Sequence, residues 1–158
     1  MSQEVFRHPV LLREFKETDL EQVFNLASTV FDEQYRPETF LHFHNAWPQG
    51  QLVVQSPEGR ILGFIFGVMA ENGQCRIMLV AVTPMMRGLG IGVRLIRDFE
   101  TRAAVGGSKR ICLELRYSKT RLLEFYRRLG FLVEGVLPLY YSDGEDGILM
   151  SKPIQWNI

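Results

Sequence analysis

The run Val80-Ala81-Val82-Thr83-Pro84-Met85-Met86-Arg87-Gly88-Leu89-Gly90-Ile91-Gly92 constrains this chain more than any other stretch. An apolar, β-branched strand meets a proline that cannot continue a ladder, and then an Arg-x-x-Gly-x-Gly turn opens an amphipathic helix. Glycines at 88, 90 and 92 let the backbone approach a ligand with no Cβ in the way. The first amides of a helix have no intrahelical acceptor and carry partial positive charge, so such a turn is a cradle for a phosphate-bearing ligand. The spacing is not that of the dinucleotide fingerprint, and the Gly-Lys-Ser/Thr of the phosphate loop is absent.

Periodicity extends this unit in both directions. Strands are expected at Val10–Phe15, Gln51–Gln55, Ile61–Ala70, Cys75–Val82, Arg110–Tyr117, Phe131–Leu139 and Gly147–Ile154. Thr18-Asp19-Leu20-Glu21 reads as a capping box opening a helix to about Phe31. A short helix follows Pro37, a third runs from about Gly90 to Ala104 on Ile91, Leu95, Ile96 and Phe99, and a fourth covers Thr120–Leu129 before Gly130. Pro57-Glu58-Gly59-Arg60 and Asn72-Gly73 read as hairpin turns. The order β-α-α-β-β-β-α-β-α-β-β gives one mixed α/β domain over residues 1–158, mostly antiparallel, with one parallel, right-handed βαβ crossover around the glycine turn.

Composition narrows the class. With 158 residues and 46% hydrophobic content the chain can bury a core. No run of about 18 apolar residues predicts a transmembrane helix, and Met1 to Pro9 lacks a signal-peptide core. Cys75 and Cys112 have no metal-ligand spacing and read as reduced, buried thiols of a cytoplasmic protein. His8, His42 and His44 have no partner pattern, so no metal is expected. Net charge is zero but uneven. Residues 1–83 carry 6 Lys/Arg against 10 Asp/Glu, residues 84–130 carry 11 against 4, and residues 131–158 carry 1 against 4. A basic middle between acidic ends suits an anionic ligand held centrally and a cationic acceptor at the ends, and forms no nucleic-acid stripe.

The glycine turn after a strand ending in V-x-P resembles motif A of the GNAT acyl-CoA N-acetyltransferases. Leu122-Leu123-Glu124-Phe125-Tyr126-Arg127-Arg128-Leu129-Gly130-Phe131 resembles their motif B, in the right order and at ordinary spacing. Glu114-Leu115-Arg116-Tyr117-Ser118-Lys119, then Tyr140-Tyr141-Ser142-Asp143-Gly144-Glu145-Asp146-Gly147, and Glu33-Gln34-Tyr35 with Trp47-Pro48 are similar to the protein N-terminal acetyltransferases, both the ribosomal-protein alanine type and the NatA catalytic-subunit type. The resemblance implies the GNAT fold, with helices on both faces of the sheet, and acetyl-CoA as acetyl donor. The implied contacts to it are Val80, Ala81, Val82, Arg87, Gly88, Leu89, Gly90, Ile91, Gly92, Val93, Lys119 and Tyr126. Lys119 stands where most relatives carry Asn.

The resemblance further implies Glu114 as general base and Tyr126 as general acid, with Glu33, Tyr35, Tyr140 and Tyr141 on the acceptor side. Glu71 is a weaker alternative base. Arg76 occupies the position of the catalytic Glu in the histone-acetylating branch, which disfavours that branch's mechanism. The acceptor implied first is the α-amine of a protein or peptide N-terminus, reached by direct transfer in a ternary complex. The alternatives are a lysine or small-molecule amine, or a non-catalytic CoA-binding regulator. The ribosome or an auxiliary subunit is the implied further partner, no membrane is involved, and the chain would act as a monomer or homodimer.

Overall fold

The computed structural model describes residues 9–70 and 72–154. Glu71 and His8, both considered above, lie outside the described residues. Seven strands and four α-helices follow the expected order: β1 (Leu11–Glu14), α1 (Leu20–Val30), α2 (Pro37–Ala46), β2 (Leu52–Gln55), β3 (Ile61–Met69), β4 (Gln74–Val82), α3 (Ile91–Val105), β5 (Arg110–Arg116), α4 (Thr120–Arg128), β6 (Leu132–Leu137) and β7 (Gly147–Pro153). The sheet order is β1-β2-β3-β4-β5-β7-β6. β4 and β5 run parallel, pairing Gln74–Arg76 with Arg110–Cys112. The β1–β2, β2–β3, β5–β7 and β6–β7 pairs are antiparallel. β7 lies between β5 and β6, an insertion that local periodicity does not encode. Among the described residues no helix is long and apolar enough to cross a membrane.

The chain divides into two compact units. The first holds residues up to 68 together with 77–102, and the second holds 69–76 and everything from 103 on. In the first, α1 and α2 press Val23, Leu26, Phe40 and Phe43 onto Phe64 and Phe66 of β3. Edge-to-face rings link Phe40 to Phe66 and Phe15 to Phe66 at centroid distances of 5.1 and 5.2 Å. Gln51, fully buried, ties this unit together. Its amide nitrogen donates to the carbonyls of Phe43, Trp47 and Gly67, and its oxygen accepts the Gly67 N–H at 2.9 Å. Phe43 and Trp47 close the C-terminal end of α2, where their carbonyls also accept the Trp47 and Gly50 N–H groups, so the buried amide adds a second donor to each.

The expected Thr18–Glu21 capping box does not form. A single 3-10 turn over Glu17–Asp19 precedes α1, and the acid that caps is Asp19. Asp19 accepts the Lys16 N–H at 2.8 Å and both terminal nitrogens of Arg13 at 2.8 Å. β1 supplies this bidentate partner, which no local pattern around residue 18 reveals. Burial pulls the Asp19 carboxyl up, and the hydrogen bonds from Arg13 and Lys16 outweigh it, so the net shift is downward.

In the second unit, two helices end on glycine as expected. Gly107 (φ 90°) and Gly130 (φ 95°) adopt the left-handed conformation. Ser108 N–H reaches Ala103 O, and Phe131 N–H reaches Tyr126 O, which closes the last carbonyls of α3 and α4. Cys75 and Cys112 are buried free thiols.

Candidate active site

In the first unit, the turn between β4 and α3 is built from below. Gly63 on β3 lets α3 sit directly on the sheet. A Cβ there would lie 2.9 Å from the Ala81 carbonyl and 3.3 Å from both Ile91 Cγ2 and Leu95 Cδ1. Ile91, Leu95, Ile96 and Phe99 form the buried face of α3, as their spacing predicts. Trp47 packs edge-to-face on Phe99 at 5.4 Å. Thr83 N–H donates to Leu62 O at 2.8 Å, fixing the end of β4.

Above this base the chain leaves the strand at Val80, Ala81 and Val82, makes a 3-10 turn over Pro84–Met86, and becomes exposed from Arg87 to Gly90. Gly88 (φ 77°) and Gly90 (φ 86°) are left-handed, so the order of residue types here is dictated by backbone conformation. Arg94 N–H makes the first bond of the helix, to Gly90 O at 3.0 Å. The amides of Gly88, Leu89, Gly90, Ile91, Gly92 and Val93 donate to no backbone carbonyl among the described residues. Six consecutive donors at a helix N-terminus, with open space above Gly88, fit an anionic diphosphate. Arg87 folds back through Nε onto Val82 O at 3.3 Å. Glu33 sits exposed in the α1–α2 loop. Tyr35 is half-buried there, edge-to-face with Phe31 at 5.6 Å and close to Phe40.

The second unit holds the remaining sequence-derived residues. Glu114 lies on β5 opposite Leu149 of β7. Its side chain is only 11% exposed, and it forms an ion pair with Arg76 of β4, whose side chain is 39% exposed. The sequence reading missed this partner, because it depends on the parallel register that sets Arg76 beside Cys112, two residues before Glu114. Burial pushes the Cys112 thiol up, and the nearby Arg76 charge opposes this.

Tyr126 is buried in α4 between Phe125 and Phe131, at ring-centroid distances of 5.3 and 5.5 Å. Burial pushes its hydroxyl well above the ordinary phenol value. The group therefore stays protonated, and is a proton donor, throughout the physiological range. Lys119 is exposed immediately before α4, with its N–H on Arg116 O.

Tyr140 and Tyr141 do not lie in a strand. β6 ends at Leu137, and Pro138 and the left-handed Leu139 (φ 52°) turn the chain into a loop. Arg116 organises that loop. Its guanidinium lies 4.3 Å over the Tyr141 ring and pairs with Asp143 and Glu145 at 2.8 and 2.9 Å. Asp146 accepts the Leu139 N–H, while its own carbonyl accepts the Tyr117 N–H. Tyr140 stands edge-on to Tyr141 at 5.0 Å and is 47% exposed. Gly147 lies beneath it, and a Cβ there would stand 3.1 Å from the Tyr140 ring and press on it. The loop thus presents one tyrosine and packs the other. Among the described residues no group of three or more His, Cys, Asp or Glu is placed to hold a metal ion.

The family model for the acetyltransferase (GNAT) family matches residues 20–131. The chain belongs to this family. An uncharacterized N-acetyltransferase of Methanocaldococcus jannaschii is 35% identical over 144 residues, covering 90% of this chain and 91% of that protein. The N-terminal acetyltransferase A complex catalytic subunit ard1 of Schizosaccharomyces pombe is 30% identical over 148 residues, covering 89% and 84%. The crystal structure of Ard1 from Thermoplasma volcanium superposes with a TM-score of 0.88 at 30% identity, covering 93% of this chain and 99% of that one. The chain is therefore an N-acetyltransferase, and its mixed sheet with one parallel pair is the GNAT fold.

The Glu145 carboxyl is held down to about 2 by the Ser118 hydroxyl, the Arg116 guanidinium and the Ser118 N–H. The folded loop binds fewer protons than the unfolded chain, so these bonds stabilise it above the ordinary carboxyl value of 4.5 and are lost as pH falls toward about 2. The near-UV tyrosine dichroism should therefore persist at pH 5 and collapse between about pH 4.5 and 2. Glu145→Gln should weaken it already at pH 7. A variant spectrum identical to the parent at both pH values would contradict this role.

Proposed function

We propose that this acetyltransferase moves the acetyl group of acetyl-CoA to the N-terminal α-amine of a protein or peptide, by direct transfer in a ternary complex. The observation that carries the acceptor assignment is the loop 138–147. There Arg116, Asp143, Glu145 and Asp146 fix Tyr141 and leave Tyr140 exposed for the first residues of a peptide. The S. pombe relative is by name the catalytic subunit of an N-terminal acetyltransferase, which supports the same reading. Glu33 and Tyr35, in the α1–α2 loop, are the proposed acceptor contacts of the first unit.

Acetyl-CoA supplies an activated thioester. The six amides of residues 88–93, with Arg87, hold its diphosphate, and Lys119 is the proposed contact to acetyl-CoA from the second unit. Val80, Ala81 and Val82 offer main-chain groups to its acyl arm. The protein then has two proton tasks. Glu114 accepts the proton that the amine must lose, and Tyr126 donates one to the departing sulfur. Burial keeps the Tyr126 hydroxyl protonated, so it has a proton to give. An α-amine suits a single carboxylate base. With a pKa near 8 roughly a tenth of it is neutral at pH 7, against less than about a thousandth of a lysine amine near 10.4.

Thiol release from acetyl-CoA should occur with short peptides bearing a free N-terminus and fail with the same peptides blocked there. Turnover of blocked peptides through an internal lysine would overturn the α-amine assignment.

A further inference from the structure

We infer that Arg76 is a positioning residue for the general base. It fixes the Glu114 carboxylate through one oxygen so that the other faces the amine. The inference rests on the reading of Glu114 as base given above. Arg76 and Glu114 come from neighbouring parallel strands whose register is set by the Gln74–Arg110, Cys75–Ile111 and Arg76–Cys112 pairs. In a strand, residues i and i+2 share a face, so Cys112 and Glu114 point the same way and Arg76 spans both.

The exposures differ in a telling sense. The carboxylate is nearly enclosed and the guanidinium is partly open. A carboxylate at that depth needs a counter-charge, or it is costly to keep in its charged form. Within this cluster Arg76 supplies it through one terminal nitrogen, Nη1, to one carboxylate oxygen, Oε1. The contact engages Oε1, so the charge of Arg76 orients the carboxylate through that oxygen. The thiol of Cys112, pushed up by burial, also accepts a hydrogen bond from Arg76, so the arginine is held against both side chains of β5.

A cation at this strand position would be out of place if the strand itself carried the acid, as in the histone-acetylating branch. It is explained if its task is to serve the acid on the next strand. Arg76 touches neither donor nor acceptor and acts on the reaction only through Glu114.

The test is a cycle of variants read by steady-state kinetics on the best free-N-terminus peptide. Arg76→Gln should lower kcat by roughly 10- to 100-fold, no more than the low end of the roughly 10²- to 10⁴-fold that acid–base assistance contributes, with KM for acetyl-CoA unchanged. Arg76→Lys should recover most of the loss, because it restores the charge and forfeits only the planar geometry. Glu114→Gln should be slower still. Arg76→Gln combined with Glu114→Gln should be no slower than Glu114→Gln alone, since an arginine acting through the carboxylate has nothing to position once it is an amide. Full kcat in Arg76→Gln, failure of Arg76→Lys to rescue, or a double variant whose losses multiply would overturn the inference. Full activity in Glu114→Gln would instead overturn the assignment of the base, so the two failures are separable. Matched melting temperatures establish that each kcat change is not a folding loss.

Discussion

Gly90→Glu should abolish measurable binding of acetyl-CoA while leaving the protein folded. Gly90 sits at φ 86° immediately before α3, at the centre of the six unpartnered amides. A side chain there costs roughly 1–2 kcal/mol for the left-handed conformation alone. A carboxylate adds negative charge where a diphosphate must come, and it can itself occupy the amides through the same helix-terminus attraction. Together these terms amount to about 3 kcal/mol or more, a weakening of at least about 100-fold. Gly90→Ala separates the two effects, because it keeps the strain without the charge and should weaken binding by only about tenfold. Gly88→Ala carries the same left-handed strain at φ 77° and should weaken binding to a similar extent, although a Cβ there meets nothing within 4 Å. Titration calorimetry with acetyl-CoA measures all three. Parent affinity in Gly90→Glu would show that the diphosphate is held elsewhere.

Tyr126→Phe should lower kcat by about 10²- to 10⁴-fold with little change in KM for acetyl-CoA. The ring is what the fold uses. It packs between Phe125 and Phe131, and phenylalanine preserves that packing. The hydroxyl is what the chemistry would use, held protonated by burial. The substitution removes a single oxygen from a buried position, so the melting temperature should stay close to the parent's while turnover falls. A drop in stability with turnover retained would assign Tyr126 to the core and leave the sulfur to be protonated by another group.

These two sites differ in how far the sequence revealed them. The cradle was legible because everything that builds it is local. A β-branched strand, a proline, left-handed glycines and an amphipathic helix follow one another within about twenty residues, and each is a preference the chain expresses by itself. The same holds for the glycine stops at Gly107 and Gly130.

What was not legible depends on register between distant segments. The pairing of Arg76 with Glu114 requires knowing that β4 and β5 align Arg76 with Cys112. The role of Arg116 requires the loop of residues 138–147 to return to β5. The hold of Asp19 on the Lys16 N–H, at the 3-10 turn that leads into α1, depends on Arg13 of β1, and the junction at Gln51 requires three carbonyls from two elements. The strand reading of Phe131–Leu139 failed at its end for a related reason. Pro138 and the strained Leu139 stop β6 so that Asp146 and Arg116 can close the tyrosine loop. In each case a charged or amide group satisfies a partner far along the chain, and single-sequence periodicity carries no information on that distance.

The most direct test of the central claim uses one peptide that carries both a free N-terminus and an internal lysine. The protein is incubated with it and acetyl-CoA at pH 7, and fragmentation mass spectrometry locates the acetyl group. The α-amine assignment predicts a singly acetylated product with the label on the first residue and an unmodified lysine. Label on the lysine, with the N-terminus free, would contradict it.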